Sequence, residues 1–166
     1  MEDRDIVINT GMPGLQLLDA ITRTDENGIG GGCLFSDAPP WLGVESLARL
    51  GAFHVRFLTG FGKHAFLAKI KRCLLPRREP LTGRYRLTGK LLSRSSSSFF
   101  YDLEAWNGKE LEIAGQFLYA AIDYDNAFRK ELLQDHYQRR FTCLTNATEK
   151  GSSREKTPDF SVRPRK

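Results

Sequence analysis

Pro39-Pro40-Trp41-Leu42-Gly43-Val44-Glu45-Ser46-Leu47-Ala48-Arg49-Leu50-Gly51-Ala52-Phe53-His54-Val55-Arg56-Phe57-Leu58-Thr59-Gly60-Phe61-Gly62 is the stretch that decides how this chain folds. Each proline lacks an N–H and restricts the residue before it, so Ser36 to Pro40 reads as a loop that delivers the chain into a helix. The spacing predicts that helix over about Trp41 to Phe61, with Gly60 through Gly62 ending it. Val44, Leu47, Leu50, Ala52, Phe53, Val55, Phe57, Leu58 and Phe61 occupy most of its circumference, so other structure should enclose it. Glu45, Arg49 and Arg56 are the exceptions. Steps of four and eleven residues rotate by ~40° and ~20°, which gathers all three on one side.

Downstream, four segments read as strands with no convincing helix between them: His64 to Leu75, Gly83 to Ser93, Ser98 to Trp106, and Lys109 to Tyr124. Apolar residues alternate through Tyr85, Leu87, Gly89 and Leu91, then Phe99, Tyr101, Leu103 and Ala105, then Leu111, Ile113, Gly115, Phe117 and Tyr119. Asn107-Gly108 between the last two is the strongest short signal for a tight hairpin, so these neighbours should pair antiparallel. Upstream, residues 14–32 read as a short helix or extended piece, with Gly30-Gly31-Gly32 as a flexible turn before a strand near Gly32 to Phe35. Asn126 to Phe141 has mixed helical character. One buried helix followed by a long antiparallel sheet implies an α+β domain in which the sheet curls around the helix. The expected organisation is a domain over residues 1–125, a C-terminal helical extension over 126–146 and a basic, flexible tail over 147–166.

Composition sets the class. With 166 residues, 40% hydrophobic and 27% charged, the chain matches one soluble globular domain. No apolar run approaches the ~18 to 20 residues of a bilayer span, and the acidic start Met1-Glu2-Asp3-Arg4-Asp5 lacks the basic opening of a secretory signal, so a cytoplasmic location is expected. Of the +5 net charge, +3 falls between Glu149 and Lys166, which argues against a nucleic-acid-binding body. Cys33, Cys73 and Cys143 are odd in number, far apart and without a CxxC, so neither a disulfide framework nor a zinc site is suggested. No serine nucleophile motif, phosphate loop or dinucleotide fingerprint appears.

The run from Pro39 to Ala52 resembles a proline, tryptophan, glycine and glutamate pattern of the hotdog-fold β-hydroxyacyl-acyl-carrier-protein dehydratases, in the divergent branch found with bacterial polyene pigment gene clusters. Leu17-Leu18-Asp19, Phe66 to Arg72 continuing to Pro76, and Ile113-Ala114-Gly115-Gln116-Phe117 extend the resemblance over roughly residues 14–124. It implies a hotdog fold, a long curved antiparallel sheet wrapped around a central helix, and dehydration of thioester-linked acyl chains in fatty-acid or polyene-type biosynthesis. It also implies an acyl carrier protein as partner, a homodimer or a heterodimer with another hotdog subunit, and neither metal nor organic cofactor.

In that family a histidine removes the α-proton while a carboxylic acid on the central helix protonates the departing β-hydroxyl. Glu45 occupies the position of the acid. Its other reading is an ion pair with Arg49 four residues on. The family's histidine should lie in the loop before the helix, yet Gly28 to Pro40 contains none. Asp37, the loop's one carboxylate, is the candidate replacement; a helix-entry aspartate is its ordinary reading. His54 lies ~180° around the helix from Glu45, and His64 opens a strand where it could face a partner subunit. Trp41, Gly43, Val44 and Leu47 are expected to line the acyl channel. Arg49 stands where these dehydratases often carry glutamine. Lys69, Lys71, Arg72, Arg77 and Arg78 form a candidate surface for an acidic carrier protein. Two alternatives remain open: a non-catalytic acyl-binding partner subunit that has lost the histidine, and a hotdog thioesterase.

Overall fold

A computed structural model describes residues 17–77 and 79–152. In chain order the elements are β1 (Ala20–Thr24), β2 (Gly28–Ala38), α1 (Pro40–Leu58), β3 (His64–Leu74), β4 (Leu81–Arg94), β5 (Ser98–Asn107), β6 (Glu110–Ile122) and α2 (Lys130–Ser152). The strands form one antiparallel six-stranded sheet in the order β1-β2-β4-β5-β6-β3. The α1 helix lies against one face of that sheet and packs on β2 through β6.

The period-two pattern explains the inner face. Leu81, Tyr85 and Leu87 on β4, Phe99, Tyr101, Leu103 and Ala105 on β5, and Ile113, Phe117, Tyr119 and Ala121 on β6 are all buried, and all are odd-numbered. Register keeps the rows aligned: Leu87 stands opposite Ala105, and Ala105 opposite Ile113. The tight turn between β5 and β6 passes through Gly108, whose φ of 59° suits glycine.

Apolar residues nearly surround α1 because it is covered twice. Leu42, Leu47, Leu50 and Val55 are buried, while Phe53 and Phe57 meet Phe141 and Tyr137 of α2. The helix starts one residue earlier than the sequence suggests, since proline is tolerated at the first helical position, where its missing N–H has no partner to lose. It ends at Leu58, three residues before the expected Phe61. Phe61 takes a φ of 57° and its N–H donates to the Arg56 carbonyl at 2.7 Å.

The N-terminal region differs from expectation. It is a β-hairpin, with Asp25 closing the turn by accepting from the Asn27 and Gly28 N–H groups at 2.8 and 3.0 Å. Gly30 to Gly32 form no loose turn: they are paired on both sides within β2. A Cβ on Gly31 would stand 2.6 Å from the Ala20 carbonyl oxygen and 3.1 Å from Leu50 Cδ1, so glycine is required by close approach. The strand also runs on through Ala38, with irregular pairing to β4 between Phe35 and Ala38 where a loop was expected.

At the other end, α2 begins at Lys130 rather than Asn126, because Asp125 first accepts from the Ala127 and Phe128 N–H groups, both at 2.8 Å, and closes its own turn. It continues to Ser152. Leu144 is buried and Thr148 Oγ1 donates to the Ile21 carbonyl at 3.1 Å, tying α2 to β1. Among the described residues, no helix is long and apolar enough to cross a membrane.

Candidate functional site

The side of α1 that carries Glu45, Arg49 and Arg56 does not face the sheet. With the start of β3 and the middle of α2 it encloses a cleft of about 200 Å³. Ala48 and Ala52 lie on the same side of the helix, and their short side chains leave the space that the longer residues border. Ala65 to Leu67 form a second wall, and His136, Tyr137 and Arg140 of α2 form the third. The three-residue and four-residue steps of α2 bring those side chains to one face.

Arg56 is the anchor of this cleft. It is 4% exposed, Nη2 donates to the Ala65 carbonyl at 2.8 Å, and the guanidinium carbon sits 3.6 Å from the centre of the Tyr137 ring. Its Nε is buried with no hydrogen-bond partner. Burial lowers its pKa from the ordinary value, opposed by the nearby Tyr137 and Tyr124 and reinforced by Arg49. Arg49, half-buried, is lowered by burial first and by Arg140 as well, with Tyr137 and Glu45 acting in the opposite sense. Glu45 is thus within electrostatic reach of Arg49, yet the ion pairs among the described residues are Arg23–Asp25, Lys63–Asp123 and Arg129–Glu131. The simple i, i+4 pairing of Glu45 with Arg49 is not made.

The expected site residues divide into groups. Glu45 and Arg49 share the cleft. Leu47 is fully buried, and a Cβ on Gly43 would collide with Ile113 Cδ1 and stand 3.0 Å from Leu81 Cδ1, so both residues pack α1 onto the sheet. Val44 is half-buried, and Trp41 is 50% exposed at the start of the helix. Asp37 is exposed at the end of β2 with a φ of 48°, and its carboxylate accepts from Thr82 Oγ1 at 3.4 Å; it does not line the cleft. Lys69, Lys71, Arg72 and Arg77 are all exposed on or just after β3, while Arg78 lies outside the described residues.

His54 and His64 have structural places. His54 Nε2 must donate to the Asp25 carbonyl at 2.7 Å, because a carbonyl only accepts; in the neutral ring Nδ1 then accepts from the Tyr101 hydroxyl at 2.7 Å. Burial holds the His54 pKa below the usual histidine value, against the raising effect of Asp25. His64 is 8% exposed and stacks on Phe128 with ring centres 4.3 Å apart.

The residue that sequence reasoning missed is His136. It sits beyond the part of the chain that carries the resemblance, on a helix whose docking no local pattern specifies. The available signal was the pairing of His136 with Tyr137, Arg140 and Phe141 at helical spacing, which marks an α2 face that is apolar and basic together.

No protein-family profile matches this chain, and no curated protein matches it in sequence. Solved structures do match. A putative thioesterase from Lactococcus lactis is 18% identical with a TM-score of 0.54, covering 64% of this chain and 95% of its own. A thioesterase from Haemophilus influenzae is 13% identical with a TM-score of 0.53, covering 70% and 80%. The dehydratase heterocomplex ApeI:P from Xenorhabdus doucetiae is 12% identical with a TM-score of 0.54, covering 68% and 86%. With these neighbours and its long antiparallel sheet closed over α1, the chain is an α+β protein of the hotdog fold.

Proposed function

We propose that this protein handles acyl groups carried as thioesters, and that it dehydrates β-hydroxyacyl chains in the cleft between α1 and α2. The observation that carries this reading is that a carboxylic acid, Glu45, and a histidine, His136, border the same cleft, so the base missing before the helix is supplied by α2. His136 would take the proton from the α-carbon, and that C–H electron pair would form the new double bond. The β-carbon–oxygen bond would break with its electrons on oxygen, and the Glu45 carboxyl would donate the proton that lets it leave as water. Each group contributes on the order of 10² to 10⁴-fold in such chemistry. Trp41 and Val44, near the helix start, are the remaining candidates to meet the acyl chain.

A second reading is supported by the thioesterases among the structural neighbours. An exposed carboxylate such as Glu45 can activate water for thioester hydrolysis. Mass analysis of the products from a β-hydroxyacyl-carrier substrate separates the readings. Loss of water supports dehydration, release of free acid supports hydrolysis, and absence of turnover supports an acyl-binding partner subunit.

For partners, β3 is one of the two edge strands of the sheet, and Phe66, Ile70 and Leu74 on it are 40%, 36% and 58% exposed. An unpaired apolar edge of this kind invites another strand, in keeping with a homodimer or a heterodimer with a second hotdog subunit. Lys69, Lys71, Arg72 and Arg77 lie nearby as the surface for an acidic acyl carrier protein. We place the reaction in the cytoplasm, where such carriers work.

A further inference from the structure

The cleft holds more positive charge than acid–base chemistry needs. Arg49, Arg56 and Arg140 border it, and Glu45 is the one carboxylate among its described lining residues. Three guanidiniums against one carboxylate leave a surplus of two positive charges in a partly enclosed space, where charges interact more strongly than in water. None of the three arginines closes an ion pair among the described residues. Arg56 is the most demanding of them: it is buried to 4% exposure, bonded to one backbone carbonyl and stacked on Tyr137, with Nε left over. A charge buried this way is normally paired, and removing it from water without an anion is costly.

The arrangement is directional. Arg56 forms a fixed wall, held by Ala65 and Tyr137. Arg49, half-buried on α1, and Arg140, exposed on α2, border the same space from two different helices, and each carries a planar donor fork. Two such forks on facing helices match the paired oxygens of a carboxylate or phosphate. Burial chiefly lowers the Arg49 pKa, and the nearby charge of Arg140 lowers it further, a repulsion that an anion between them would relieve.

We propose that the cleft between α1, β3 and α2 is an anion site, in which Arg49 and Arg140 clamp a carboxylate or phosphate group of the ligand while Arg56 adds positive charge from the wall. The site constrains what the protein takes: its ligand carries an oxyanion in addition to whatever group reacts. It does not depend on which reaction Glu45 and His136 perform, and it stands if the protein binds without turnover.

The test uses the full chain, with inorganic phosphate and succinate as separate probes, followed by the amide shifts of ¹⁵N-labelled protein. The expected result is saturable shifts on α1 and α2 with at least one probe. Half-saturation should rise about tenfold in Arg49→Gln and in Arg140→Gln, the loss of one charge-assisted contact, and should fall in Glu45→Gln, which removes the competing negative charge. Arg129→Gln, which deletes the same charge outside the cleft, should leave it unchanged. Saturation by phosphate alone assigns a phosphate ligand, and saturation by succinate alone assigns a carboxylate. Non-saturating shifts with both probes, or titrations of the two cleft variants that coincide with wild type, would overturn the proposal. So would an Arg129→Gln effect equal to theirs. Because Arg140 is exposed, Arg140→Gln should keep its fold, and retained shift dispersion verifies this.

Discussion

Gly51→Ala should destabilise the protein, although helix propensity alone says the opposite. In an exposed helix interior the change stabilises by about 1 kcal/mol, because alanine loses less backbone freedom. Here the new Cβ would meet the Tyr119 ring, 2.6 Å from Cζ and 2.8 Å from Cε2, against an ordinary carbon–carbon contact of about 3.5 to 4.0 Å. Either the ring or α1 must move by about 1 Å. Tyr119 has little freedom: it is fully buried, its hydroxyl donates to the Ala48 carbonyl at 2.8 Å, and it stands edge-on to Tyr101 at 5.5 Å, which in turn holds His54. Overpacking costs about 1 to 3 kcal/mol, and loss of the Tyr119 hydrogen bond in a buried setting about 1 to 3 more. Less the propensity gain, the net is about 3 kcal/mol, which for a chain of this size lowers Tm by about 6 to 12 °C. Thermal and urea unfolding followed by circular dichroism read it directly. Combining it with Tyr119→Leu should be non-additive by more than about 1 kcal/mol, since the two changes share one space. A Tm for Gly51→Ala at or above wild type would refute the close packing of α1 on β6, and with it the depth at which α1 presents Glu45.

Stability should fall as pH drops below 6.5. Burial depresses His54 and His64 below that ordinary value, so over this window the unfolded chain binds protons that the folded chain does not. The urea midpoint at pH 7.5 and 5.5 measures this, and His54→Gln should flatten the dependence; equal slopes would remove His54 as its source. Cys33 is fully buried with its thiol pushed up to about 12, chiefly by burial, whereas Cys143 is exposed. A thiol reagent should therefore label Cys143 at once and Cys33 only on unfolding, as peptide mass mapping would show. Arg77→Glu should slow association with an acidic acyl carrier protein and weaken its salt dependence, read by stopped-flow binding; an unchanged rate places the carrier surface elsewhere.

Much of the fold was legible because the determinants are local and periodic. The alternation from Tyr85 to Tyr119 specifies which face of three strands is buried, and Asn107-Gly108 specifies where two of them turn. The near-continuous apolar surface of α1 correctly announced a helix largely enclosed by other structure. What encloses its outer side was not legible, because Tyr137 and Phe141 meet Phe53 and Phe57 across more than 80 residues of chain. The glycine run in β2 misled for a related reason: Gly31 answers a carbonyl of β1 and a methyl of α1, and neither contact has a sequence period. The site followed the same division. Glu45, Arg49 and Arg56 were grouped correctly by helical geometry alone, whereas His136 reaches them only through the docking of α2. Gly43 and Leu47 carry the resemblance but serve packing, since a helix–sheet contact also demands small and apolar residues at fixed spacing.

The pairing of Glu45 with His136 is tested most directly by single-turnover conversion of a β-hydroxyacyl-carrier substrate, with product mass recorded, for wild type, Glu45→Gln and His136→Gln. Dehydration by wild type, lowered about 100-fold or more in each variant with folding intact, is the expected result. A His136→Gln protein that dehydrates as fast as wild type would contradict the assignment of the base to α2.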